Sequence, residues 1–165
     1  MELYLIRHGI AEEKQPDIKK DEERSLTKEG REKTEKVAQK IKKLGLQFEV
    51  ILTSPLVRAR QTAEILVAAG LSTIKEESTH LAPNGHISSW LKYWLEPKNY
   101  AANTQIALVG HEPDLSNWAE ILLWGEVKNS LVLKKAGMIG IKLPEIGSPL
   151  GRSQMFWLTP PKYLL

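Results

Sequence analysis

Three short segments of this chain carry side chains that suit a phosphoryl group: Arg7-His8-Gly9, the stretch SPLVRARQT from Ser54 to Thr62, and Gly110-His111. Each follows directly on an apolar run of strand length, so a fold that aligns those runs brings all three to one edge of a sheet. Arg7 and Arg58 offer planar guanidinium forks that can each take two phosphate oxygens and that stay charged at any relevant pH. A histidine placed among them is constrained in turn. Neighbouring positive charge disfavours the imidazolium, so His8 is expected to be neutral at about pH 7, with one ring nitrogen free to attack phosphorus. The other ring nitrogen is expected to donate to a backbone carbonyl and fix the tautomer. Gly9 reads as the place where a side chain would crowd the incoming group.

The elements that must position these residues follow from pattern. Glu2 to Ile6 reads as a buried strand, and Ile10 to Ser25, polar and charged with Pro16 inside it, as a loop able to fold over the strand end. Thr27 is a plausible N-cap, after which Gly30, Thr34, Val37, Ile41 and Leu44 recur at helical spacing until Gly45 supplies the C-terminal stop. Phe48 to Leu52 reads as a second strand. Ser54-Pro55 then suggests an N-cap with proline at the first helical position, opening a helix that runs to Gly70. A weak strand at Ser72 to Glu76, an irregular stretch from His80 to His86 and a Trp-rich helix from Ile87 to Leu95 precede the strand Gln105 to Val109. A helix containing Leu115, Trp118, Ile121 and Leu122 comes next, then three short strands at Leu131–Lys134, Met138–Leu143 and Gln154–Leu158. Alternating strands and helices predict an α/β chain, residues 1–165 in a single domain, built as a three-layer α/β/α sandwich on a mainly parallel sheet.

In order and content the segments resemble the histidine phosphatase superfamily, also called the phosphoglycerate mutase-like fold, and within it the SixA-type phosphohistidine phosphatases. Arg-His-Gly alone carries little. Ser54-Pro55-x-x-Arg58-Ala59-x-Gln61-Thr62, set between Arg7-His8-Gly9 and Gly110-His111, carries the likeness to the superfamily. Arg24 followed by Leu26-Thr27-x-x-Gly30, together with Leu81-x-Pro83, carries the likeness to the SixA type. The resemblance implies that His8 is the phosphorylated nucleophile, that Arg7, Arg58 and His111 bind the phosphoryl oxygens and stabilise transferred charge, and that Arg24 lies at the pocket rim. It implies no metal ion and no cofactor. It also implies a place where relatives acting on phosphate esters carry an acid, and this chain has Leu81-Ala82-Pro83-Asn84-Gly85 there. A phosphorylated imidazole can leave already protonated on its other nitrogen, so the missing acid fits an N-phosphate substrate on a partner protein such as a phosphotransfer domain. Glu12, Glu13 and Asp17 of the first loop remain alternative acids. Two further functions stay open: a phosphomonoesterase or pyrophosphatase acting on a small metabolite, and a phosphate- or phosphoprotein-binding module without turnover.

Composition narrows the field. The chain has 165 residues, 42% of them hydrophobic, enough for one core, and no cysteine, so neither disulfides nor thiolate metal sites are available. The net charge of +3 lies largely in helical lysines such as Lys36, Lys40, Lys42 and Lys43, which read as a solvated face. Nucleic acid is not expected as a partner, because the basic residues are not interleaved with aromatics. The first residues are too soon charged for a secretory leader and no apolar stretch is long enough for a membrane span, which gives a cytoplasmic expectation. Arg60, His80 and His86 read as surface residues, the five tryptophans as packing residues, and Glu112 with Asp114 as acidic groups at a helix start.

Overall fold

Strand β1 (Glu2–Arg7) is apolar on both sides, and its successive side chains divide between two cores: Leu3 and Leu5 belong to one buried cluster, Tyr4 and Ile6 to the other. A strand buried on both faces has to sit in the middle of a covered sheet. The computed structural model, which describes residues 1–165, places it there. β1 is joined by β2 (Val50–Thr53), β3 (Lys75–Glu77), β4 (Gln105–Gly110), β5 (Met138–Lys142) and β6 (Gln154–Thr159) in the order β3-β2-β4-β1-β5-β6. The first four strands of that order run parallel, whereas β5 is antiparallel to β1 and β6 to β5. The sheet is therefore mixed and mostly parallel, and the fold is α/β in three layers.

Helices α1 (Lys28–Lys43) and α2 (Val57–Ala68) cover one face through Val37, Ala38, Ile41, Ala59, Ala63 and Leu66. On the other face lie α3 (Ile87–Trp90) and α5 (Asp114–Trp124), whose Ile87, Trp90, Leu115, Trp118 and Leu122 pack on Leu3, Leu5, Ile106 and Leu108. A π-helical turn over Leu91–Leu95 and a short α4 (Glu96–Lys98) continue α3, and the Trp90 and Trp94 rings stack across the turn with centroids 5.6 Å apart. Trp90 and Trp118 are core residues as expected, but Trp124 at the end of α5 is exposed.

Register fixes where chemistry can gather. Arg7 pairs with Gly110 across β1 and β4, and Thr53 with Val109 across β2 and β4, so three strand ends lie level. The His8 N–H donates to the Gly110 carbonyl at 3.1 Å and the Ser54 N–H to the Val109 carbonyl at 3.0 Å, carrying that alignment past the strand ends. Parallel sheets place their ligands at such edges.

Two local expectations fail. Ser54 does not cap α2: the helix opens after Leu56, and Pro55 lies outside it. Leu131 to Lys134 is not a strand. The buried Glu120 carboxylate accepts the N–H groups of Lys128, Ser130 and Leu131, which ties the start of that segment to α5 instead of to a neighbouring strand.

Candidate active site

The turn after β1 is pinned from both sides. The Gly9 N–H donates to Thr62 Oγ1 at 3.0 Å, and the same hydroxyl donates to the Arg58 carbonyl at 2.9 Å, so α2 grips the loop through a side chain of its own second turn. A Cβ on Gly9 would collide with Thr34 Oγ1, and one on Gly30 with the Ile10 carbonyl. Gly9 thus makes room for helix α1, not for the incoming phosphoryl group as the sequence suggests. Thr27 caps α1 by accepting the Gly30 N–H at 2.9 Å, in agreement with the sequence reading.

His8 is 6% exposed. Its Nδ1 lies 2.7 Å from the Gly9 carbonyl, an acceptor only, so Nδ1 carries the proton and Nε2 the lone pair. Arg58 Nε donates to that lone pair at 3.3 Å. Burial is the main cause that pushes the His8 pKa down to about 3. The Gly9 hydrogen bond opposes the fall, while His111, Arg58 and Arg7 add to it. The neutrality expected from neighbouring charge is therefore present, but desolvation outranks the charges as its cause.

Arg58, 4% exposed, reaches the pocket from the first turn of α2. Its two terminal nitrogens are engaged by Asp21 of a short 3₁₀ turn, Asp21–Glu23: Nη1 donates to the Asp21 carbonyl at 2.9 Å and Nη2 to Oδ2 at 3.2 Å. Arg24 Nε takes the other carboxylate oxygen at 2.8 Å, and Arg24 Nη1 donates to the Glu12 carbonyl at 2.7 Å. Burial works to raise the Asp21 pKa, and the Arg58 and Arg24 guanidiniums outweigh it, so the carboxyl lies below its ordinary value. Asp21 is thus an ionised clamp that holds both guanidiniums. It was invisible in the sequence, where Asp21-Glu22-Glu23 looks like any solvated acidic run.

His111, at the end of β4, stands with its ring centroid 5.2 Å from that of His8. Its Nε2 is 2.7 Å from Ser54 Oγ. That hydroxyl accepts the Leu56 N–H at 3.2 Å, and the only acceptor beside its own proton is His111 Nε2. The matching tautomer has an N–H at Nδ1, a buried atom without a partner in the protein. Burial first, and Arg58 second, lower the His111 pKa to about 4. Arg7 Nη1 donates to the Leu133 carbonyl at 3.0 Å, and its Nε is likewise buried and unpartnered. The Ala136 N–H, in a residue at φ 60°, donates to the carbonyls of both Arg7 and His8.

These groups line one cavity of about 370 Å³ that holds Arg7, His8, Arg24, Arg58 and His111 together. All five site residues expected from sequence are brought to it. Glu12, Glu13 and Asp17 are not: Glu12 instead pairs with Lys19 at 2.9 Å and accepts the Ser25 N–H. The carboxylates on the wall are Asp21, Glu112 and Asp114. Asp114 accepts the Asn84 N–H at 2.8 Å, so an acid borders the Leu81–Gly85 segment in space although none occurs there in sequence. Glu112 accepts from the Ser116 N–H and hydroxyl at 2.9 and 2.6 Å. No three His, Asp or Glu side chains gather at metal-ligand spacing, and no helix is long and apolar enough to cross a membrane.

Comparison with known proteins bears on the arrangement. Residues 3–79 match the family model of the histidine phosphatase superfamily (branch 1). An uncharacterized protein of Picosynechococcus sp. is 47% identical over 171 residues, covering 100% of this chain and 99% of its own. The structure of the protein histidine phosphatase SixA complexed with tungstate superposes with a TM-score of 0.84 over 100% of both chains at 24% identity. That of the alpha-ribazole phosphatase from Shigella flexneri superposes with a TM-score of 0.69 over 98% of this chain and 97% of its own, at 17% identity.

Proposed function

The chain belongs to the histidine phosphatase superfamily, and from that premise we propose that it hydrolyses phosphohistidine on a protein, in the cytoplasm, with His8 as the transiently phosphorylated nucleophile. The observation that carries the reading is the His8 tautomer: with Nδ1 donating to the Gly9 carbonyl, the lone pair sits on Nε2 beside Arg58. Nε2 attacks phosphorus and the P–N bond of the substrate breaks. The departing imidazole keeps the proton on its other nitrogen and leaves neutral, so no enzyme acid is consumed. Arg7, Arg58 and the His111 Nδ1–H hold the three oxygens during transfer. Water then attacks the phosphorylated His8, the new P–N bond breaks, and inorganic phosphate departs with His8 restored.

A 24% identical relative that binds tungstate, a tetrahedral oxyanion, is described as a protein histidine phosphatase, which supports the same assignment. A second reading has its own observation. Glu112 and Asp114 line the cavity and give an ester oxygen an acid to protonate it, as a small-metabolite phosphomonoesterase requires. Phosphate release from a histidine-phosphorylated phosphotransfer domain and from p-nitrophenyl phosphate separates the two. The protein-phosphatase reading expects kcat/KM to favour the domain by at least about a hundredfold, roughly 2.7 kcal/mol of transition-state preference. A preference for the ester, lost in Asp114→Asn, overturns it in favour of the second.

A further inference from the structure

Arg7 is shared between two cavities. One is the catalytic pocket. The other, of about 440 Å³, opens beside it and is lined by Arg7, Lys33, Lys134 and Lys135, with Ile10 and Ala136 among the remainder and no acidic side chain. Lys135 also borders both. Lys134 and Lys135 are exposed and enter none of the eight ion pairs of the chain, and Lys33 pairs only with Glu29 of its own helix, at 2.8 Å. A chain with a net charge of only +3 thus places four cations around one cleft.

The two lysines are not on a free loop. The residue before them gives its carbonyl to Arg7 Nη1, and the residue after them gives its N–H to the carbonyls of Arg7 and His8. Ala136, 4% exposed and at φ 60°, turns the chain sharply at that anchor. The Lys134–Lys135 pair is therefore held in register with the phosphoryl site, and an anion in this cleft would sit next to a phosphoryl group across a single guanidinium.

We propose that this cleft binds the carboxylate side chains that flank the phosphohistidine on an acidic protein substrate. The proposal rests on the phosphoprotein reading given above. Lysine ammoniums on exposed stems are separate, mobile point charges, suited to carboxylates spread over a protein face, whereas a second phosphate on a small molecule is better matched by a guanidinium fork or a backbone nest. Charges at such a rim act chiefly on association and on its salt dependence.

The probes are a phosphotransfer domain with acidic residues around its histidine, phosphorylated with phosphoramidate, and p-nitrophenyl phosphate. Lys33→Glu combined with Lys134→Glu is expected to raise KM for the domain about tenfold and to change kcat for it less than about twofold. The loss of kcat/KM on the ester is expected to be several-fold smaller, the wild-type KM for the domain should rise with ionic strength, and Lys33→Arg with Lys134→Arg should keep the wild-type KM. An unchanged KM for the domain in the Glu variant, or an equal loss on both substrates, overturns the inference alone. Wild-type protein that hydrolyses the ester and leaves the phosphorylated domain intact overturns the phosphoprotein reading, and this inference with it.

Discussion

The imidazole of His8 loses its affinity for a proton mainly to burial, so its Nε2 lone pair persists far into the acid range. Ester turnover should then show no acid limb near the ordinary histidine value of about 6.5; kcat/KM for p-nitrophenyl phosphate is expected to stay level from about pH 7 to about pH 5. A half-drop near about 6.5 would mean that His8 or His111 titrates as a solvated imidazole in the free enzyme. Asp21 acts through Arg58, whose terminal nitrogens it holds at 2.9 and 3.2 Å. Asp21→Ala should lower kcat on the order of tenfold with a smaller effect on KM, and Asp21→Asn, which keeps one acceptor oxygen, should recover part of it. A change confined to thermal stability would make the clamp purely structural. Ser54 sets the His111 tautomer in the same indirect way; its oxygen accepts the Leu56 N–H ahead of the helix, and α2 opens only after Leu56, too late for Ser54 to cap it.

At the scale of elements, the decisive contact is between the turn after β1 and the start of α1, where Gly30 lets the Ile10 carbonyl approach its backbone and Gly9 admits the Thr34 hydroxyl. Gly30→Ala forces a methyl group against the Ile10 carbonyl and is expected to cost about 1–3 kcal/mol in urea unfolding, with activity falling as Gly9 and His8 shift. Wild-type stability in that variant would show that the junction yields easily. The strands carrying the site were legible because their apolar runs end at Arg7, Thr53 and Gly110, and Arg7, His8, Arg58 and His111 sit just there or one turn later, while Arg24 reaches the pocket from the first loop. What the sequence hid was hidden for physical reasons. Leu131 to Lys134 has strand-like residues, but the buried Glu120 carboxylate in the second turn of α5 takes the N–H groups of Ser130 and Leu131. The pocket's acids come from Asp21, Glu112 and Asp114, which no local spacing links to His8, while Glu12, closer in sequence, is turned to Lys19.

For the whole molecule, two buried neutral histidines couple folding to pH. Their folded values, about 3 and about 4, lie below the unfolded value of about 6.5, so the unfolded chain binds protons first as pH falls. The stabilisation they bring is complete above about pH 6.5 and is lost as pH falls towards the folded values. Each contributes up to about 1.4 kcal/mol per pH unit in that window. Unfolding free energy from urea titrations should therefore drop on the order of 2 kcal/mol between about pH 6 and about pH 5, and His111→Asn should reduce the slope by roughly half. A flat profile over that range would show that the two rings are not held neutral by the fold.

The most direct measurement is capture of the phosphorylated enzyme. Protein mixed with the histidine-phosphorylated domain is quenched in alkali, where N-phosphates survive, and the adduct is located by peptide mass spectrometry. The expected result is a phosphoryl group on His8 in the wild type, and neither adduct nor phosphate release in His8→Ala. An adduct on another residue, or phosphate release from His8→Ala at the wild-type rate, would contradict the account at its centre.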